Sequence, residues 1–164
     1  MDKNFVSRFF SFSVGSYANI LIGFIFIPII TRVLTPEAFG KVSMFLLALN
    51  VLLLFVTLGM DQGYVRFFNT EKTENRGMLL FKCMQLPIIL YFIVSIGLYI
   101  FRNEVSLLLF EEVNLKIINV LIVTLFFFLL NRFFTLSMQM EERSLQYSLM
   151  QFATKFFDLV FFLI

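Results

Sequence analysis

Residues 41–60 read KVSMFLLALNVLLLFVTLGM, and this stretch decides the fold. After Lys41 no charge occurs until Asp61. A helix crosses the hydrocarbon of a bilayer with about 20 apolar residues, so the run is long enough to span. Its polar residues, Ser43, Asn50 and Thr57, stand seven apart and share one helix face. Asp61 falls four residues beyond Thr57 on the same line, flanked by Gly59 and Gly63, which loosen a helix locally. The stripe serves either for hydrogen bonding between helices or as a polar wall.

Working outward, charges bracket four further runs of this kind. The expected spans are 9–30, 42–60, 83–101, 117–140 and 145–164. Lys3 and Arg8 precede the first as in a signal peptide, but Phe9 to Thr31 carries no charge. That exceeds a signal core of about 7–15 residues, so the segment reads as an uncleaved span. The last residues, Phe161-Phe162-Leu163-Ile164, are still apolar, so the sequence is expected to be cut in the middle of a helix.

Composition agrees. The chain is 60% hydrophobic and 15% charged, against about 45–50% and 25% in soluble domains. It holds 25 Phe, more rings than a soluble core of this size can bury. With no His, His triads, proton relays and His-ligated zinc are excluded. A single cysteine, Cys83, excludes an internal disulfide and a thiolate metal cluster. Basic residues lie between the apolar runs and form no stripe, which argues against nucleic acid as a partner. No Gly-rich phosphate loop and no G-x-S-x-G motif occurs, so no catalytic residue, metal or cofactor is expected, and the protein is not read as an enzyme.

Lys and Arg in the connecting segments set orientation. With the N-terminus in the cytoplasm, the inner segments carry Lys3, Arg8, Arg66, Lys72, Arg76, Lys82 and Arg143. The outer ones carry only Arg32, Lys41, Arg102 and Lys116, so a cytoplasmic N-terminus is favoured. The polar segment 69–77 then faces the cytoplasm, and the segment around 102–114 faces outward.

Polar groups inside spans need partners, which makes their placement informative. The first span sets Ser11, Gly15, Asn19 and Gly23 at four-residue steps, a small-residue face for helix packing or cavity lining. The fourth carries Thr124, Asn131, Thr135 and Gln139 with Arg132 beside them. Arg132 either snorkels toward the cytoplasmic interface or faces a polar cavity. The fifth repeats Ser144, Ser148, Gln151, Lys155 and Asp158, and the last two can pair across one turn. Either they form a buried structural pair or they line a water-filled wall. Polar faces on several helices point to a transporter-like bundle around a hydrophilic interior.

One stretch resembles a known family. Gly15-Ser16, Gly23-Phe24 and the run PIITRVLTPEAFG at 28–40 resemble the opening of polysaccharide biosynthesis export proteins. These belong to the multidrug, oligosaccharidyl-lipid and polysaccharide exporter superfamily. The segment LGMDQGYVRFF at 58–68 is similar to the end of that family's next helix. Read physically, Pro28 bends a helix near its end. Thr35-Pro36-Glu37 starts a small outward helix, and Gly40 allows a tight re-entry into the second span. Beyond residue 70 the likeness is hydropathy alone.

The resemblance implies an all-α polytopic transmembrane bundle in which about five helices, over 1–164, form the N-terminal part of one six-helix lobe of a two-lobe transporter. It implies a flippase for polyprenyl-diphosphate-linked oligosaccharide in the bacterial inner membrane, serving cell-surface polysaccharide such as O-antigen or capsule. Expected partners are that lipid-linked substrate, the bilayer and other polysaccharide-assembly membrane proteins. Candidate cavity residues for the substrate are Arg66, Arg132, Lys155, Asp158, Asp61 and Asn50. The alternatives are a drug or cation exporter of the same superfamily, which would use Asp61 and Asp158, and a truncated membrane subunit that does not transport.

Overall fold

The computed structural model describes residues 34–141 continuously, with positions 24, 32, 146–147 and 149–151 beside them. The regular structure of these residues is entirely helical. The expected spans 9–30 and 145–164 fall outside them, apart from isolated positions. Residues Pro36–Leu136 form one compact unit, and Met1–Thr35 with Ser137–Ile164 form a second. In the second unit, Gln151 Nε2 donates to Tyr147 Oη one turn away, at 3.2 Å.

The first unit holds α1 (Pro36–Thr57), α2 (Met60–Phe68), α3 (Arg76–Ile100), α4 (Arg102–Phe110) and α5 (Leu115–Met140) up to Leu136. A single 3-10 turn, Thr73–Asn75, leads into α3. Three of these elements, Pro36–Thr57, Thr73–Ile100 and Leu115–Met140, are long and apolar enough to cross a membrane.

Two boundaries differ from the sequence reading. The small helix expected at Thr35–Glu37 and the second span are one uninterrupted helix, because Gly40 does not break it. Glycine within a helix costs about 0.5–1 kcal/mol relative to alanine, less than opening the ladder of a helix that enters a membrane. The break comes at the other end, where Leu58 (φ 43°) and Gly59 (φ 75°) are both left-handed. Leu58 N–H still donates to the Leu54 carbonyl at 3.2 Å, and Gly63 N–H already donates to Gly59 at 3.0 Å. One helix thus closes as the next opens, and α2 leaves α1 in a new direction. The third span likewise begins at Arg76 rather than near 83, so Lys82 lies within a helix.

Packing follows the helical period. Cys83, Pro87 and Tyr91 are buried on α3 at four-residue steps. On α5 the buried residues are Ile118, Leu121, Leu125, Leu129 and Phe133, all fully enclosed. The two helices meet where the Tyr91 ring lies 5.3 Å from that of Phe126 and its hydroxyl donates to the Ile122 carbonyl at 3.2 Å. Pro87, buried inside α3, has no N–H to give its own helix, so the Cys83 carbonyl one turn earlier loses its helical donor. The other faces of the long helices expose Leu54, Phe55, Ile93, Ile96, Val123 and Phe127. Contiguous exposure of such side chains is what a lipid-facing surface requires.

The start of α1 and the start of α5 lie at the same end of the unit. Lys41 Nζ reaches Glu112 Oε1 at 2.7 Å and Glu37 Oε1 at 3.4 Å. The turn between α4 and α5 passes through Glu111 at φ 58° and is tied by buried Ser106. The Ser106 hydroxyl donates to the Glu112 carbonyl at 2.6 Å and accepts from Asn114 N–H at 2.8 Å. At the opposite end, the Arg76 guanidinium lies 4.2 Å from the centre of the Phe68 ring, joining α3 to α2.

Gly59 and Gly40 make a test of this description. Gly59→Ala forces a Cβ onto a left-handed backbone and should cost about 1 kcal/mol, whereas Gly40→Ala should be neutral or stabilising. Thermal unfolding in detergent, followed by circular dichroism, checks the contrast. Equal effects of the two substitutions would contradict the break at 58–59.

Candidate functional site

The break at Leu58–Gly59 positions the main polar group of the unit. Because α2 starts afresh at Met60, Asp61 sits in a helical first turn, where the N-terminal end of the backbone dipole favours a carboxylate. Its residue is only 8% exposed. Oδ1 accepts the backbone N–H of Gln62 at 2.9 Å. Oδ2 accepts two donors from Arg132 of α5, Nη2 at 2.7 Å and Nε at 3.2 Å.

Arg132 stands eight residues before Met140, the end of α5, which is about 12 Å along the helix axis. It binds Asp61 through one edge of its guanidinium. Its side chain remains 56% exposed while that of Asp61 is 10% exposed. The acid is therefore the inner member of the pair and the base the outer one. The five N–H groups of a guanidinium form a planar fork, and Asp61 engages only one side of it. The other side, which meets no hydrogen-bonding partner among the described residues, has the geometry that carboxylates and phosphates meet in bidentate fashion. Beside it, Thr135 donates to the Asn131 side-chain oxygen at 3.2 Å, so the polar face of α5 continues past the arginine.

The other candidates fall elsewhere. Arg66 is on α2 but exposed, five residues from buried Asp61. Five helical steps turn the side chain by about 140°, so the structure does not bring Arg66 to the pair. Asn50 is exposed, and its amide donates to the Leu46 carbonyl of its own helix at 2.8 Å. Ser43 does the same to Phe39 at 2.8 Å, and Thr57 to Leu54 at 3.2 Å. The stripe on α1 thus bonds to its own backbone, the usual retreat of short polar side chains in a helix. Lys155 and Asp158 lie outside the described residues.

Sequence reading singled out Asp61 and Arg132 separately and did not join them. They are 71 positions apart, and no periodicity links residues on different helices. The sequence also gave no warning that Lys41 and Glu112, again 71 apart, would pair. The one available signal was complementary charge near the ends of neighbouring apolar runs.

The helices and the ion pair between them together define an all-α membrane bundle that crosses the bilayer more than once. A family model described as polysaccharide biosynthesis protein matches residues 5–164, so the chain belongs to that family. The match extends well past residue 70, into the region where hydropathy alone suggested kinship. No curated protein and no solved structure gives a significant match.

The geometry separates Asn50 from Asp61. Asn50→Ala should change stability by less than about 0.5 kcal/mol, as for an exposed site. Asp61→Ala leaves the guanidinium without its partner. It should cost on the order of 1–2 kcal/mol, less than a fully buried pair because Arg132 is half exposed. Thermal midpoints of the two variants in the same detergent decide it, and equal midpoints would contradict the assignment.

Proposed function

We propose that this chain is part of a flippase that carries polyprenyl-diphosphate-linked oligosaccharide across the bacterial inner membrane, from the cytoplasmic to the outer leaflet. The family supports polysaccharide assembly as the setting. The observation that carries the choice of substrate chemistry is Arg132, a half-exposed guanidinium well inside a spanning helix. A cation held there answers a substrate anion, and a diphosphate offers paired oxygens to the open side of the fork. Moving a lipid-linked sugar requires no bond to break, so the protein needs recognition and alternating access and no catalytic group. The polar headgroup would pass along the protein interior while the lipid tail stays in the bilayer, as one lobe rocks against the other.

The same pair weighs against a drug or cation exporter. Such a protein needs an accessible carboxylate, and of its two candidates Asp61 is buried and already committed to Arg132, while Asp158 lies outside the described residues. The N-terminus is proposed to be cytoplasmic, because Arg66, Lys72, Arg76 and Lys82 fall on the side that then faces inward.

Two measurements test the reading. In the full protein, Arg132→Gln should lower transbilayer movement of lipid-linked oligosaccharide in proteoliposomes at least tenfold, with Arg132→Lys intermediate because a point charge cannot form the fork. Wild-type movement by Arg132→Gln would refute the assignment. For orientation, a cysteine at Thr73 should react with a membrane-impermeant thiol reagent only in opened cells, and one at Val113 in intact cells. The reverse pattern would overturn a cytoplasmic N-terminus.

A further inference from the structure

Three features of the Asp61–Arg132 pair carry more than a static ion pair requires, and the argument from them rests on the reading that Arg132 meets a substrate anion. The first is the asymmetry of satisfaction. Arg132 directs both Nε and Nη2 at one oxygen, Oδ2, at 3.2 and 2.7 Å. Among the described residues Asp61 is its only hydrogen-bonding partner. Asp61 has a second source of stabilisation, since Oδ1 keeps the Gln62 N–H at 2.9 Å and the carboxylate stands in the first turn of α2. If the arginine leaves, the acid retains a donor.

The second feature is access. The acid is 10% and the base 56% exposed at the side chain, so an arriving anion meets Arg132 and never reaches Asp61. The third is length. Aspartate is short and anchored by its own helix, while arginine has a long stem that can turn without moving α5. A carboxylate and a phosphate then contend for the same fork.

We infer that Asp61 is a built-in competitor of the substrate: it keeps Arg132 paired and aimed while the site is empty, and it weakens the hold on the diphosphate so that the substrate can be released. An unpaired cation at this depth is costly, which is the reason an empty site needs a counter-ion. The same counter-ion must be displaced or opposed when a diphosphate binds, and by linkage each ligand of the arginine lowers the affinity of the other. Asp61 is thus a positioning residue that sets affinity, and it does not touch the substrate.

This reading fixes a sign that a purely structural role does not. Asp61→Asn keeps the size of the side chain and one acceptor oxygen, enough for the Gln62 N–H or for Arg132 but not for both, and it removes the opposing charge. The test is equilibrium binding of farnesyl diphosphate to the full protein in lipid nanodiscs. Asp61→Asn should bind the probe tighter than wild type, by roughly 5- to 50-fold. Arg132→Gln should bind weakly, and the double variant should behave as Arg132→Gln does. Tighter binding by Asp61→Asn should go with slower release of the probe. If Asp61→Asn binds no tighter than wild type while Arg132→Gln binds weakly, the competitor role is wrong and the flippase reading survives. If Arg132→Gln binds as wild type does, the anion site itself is wrong and the competitor role falls with it. A second measurement does not depend on the Asp61 variant folding. Adding farnesyl diphosphate to the wild-type protein should shift a carboxylate stretching band in the infrared difference spectrum, and the shift should be absent in Arg132→Gln. No shift at saturating probe would overturn the inference.

Discussion

The fold depends on one constraint, which is that a polar group left unpartnered in hydrocarbon is costly, and among the described residues only Ser95 Oγ and Arg76 Nε are buried side-chain atoms without a hydrogen-bond partner. The Asp61–Arg132 contact is where that constraint is met with charged groups, and it ties α2 to α5 across 71 positions of sequence. Several local features serve it. The left-handed residues Leu58 and Gly59 end α1 early enough for α2 to begin just before the acid. That gives the carboxylate a backbone donor as well as a guanidinium. A continuous helix through 58–59 would leave Asp61 in a helix interior, where every N–H is already bonded to a carbonyl.

The rest of the unit is held by weaker and more ordinary means. Fully enclosed side chains on α5 recur at three- and four-residue steps, and Tyr91 of α3 reaches α5 at the Phe126 ring and the Ile122 carbonyl, while Cys83 and Pro87 are buried on the same face of α3. Lys41 and Glu112 join the start of α1 to the turn before α5, and Ser106 closes that turn. These contacts bring the polar junctions to the two ends of the long helices and leave aliphatic and aromatic side chains on the outside. Such a surface suits lipid and not water, which agrees with membership of a membrane polysaccharide biosynthesis family.

Much of this was legible in the sequence, for identifiable reasons. Charge-free runs bounded by Lys or Arg mark membrane helices because a bilayer penalises charge most in its middle and least at its interfaces, so the three long helices were visible at once. Their ends were less visible. Lys82 and Lys41 look like boundaries, yet a lysine one turn inside a helix can reach the interface with its stem, and both lie within helices. Gly40 looked like a breaker because glycine permits a turn, but permission is not a requirement, and the hydrogen bonds of the helix decided otherwise. Gly59, with the same chemistry, does break the chain. In the site, Asp61 and Arg132 were conspicuous as charges inside apolar runs. Their pairing was not, since it depends on how α2 turns away from α1, and that turn comes from two backbone angles that no composition records. Asn50 looked equally functional until its amide was found bonded to Leu46 of its own helix.

The claim on which the account rests is that Asp61 and Arg132 recognise each other inside the membrane. A double-mutant cycle measures this directly: Asp61→Asn, Arg132→Gln and the double variant, with unfolding free energies determined in lipid bicelles. The account predicts a favourable coupling of at least about 1 kcal/mol, above the average of about 0.6 kcal/mol for polar pairs between membrane helices. A coupling indistinguishable from zero would mean that the two charges do not hold α2 to α5, and the site built on them would fall with it.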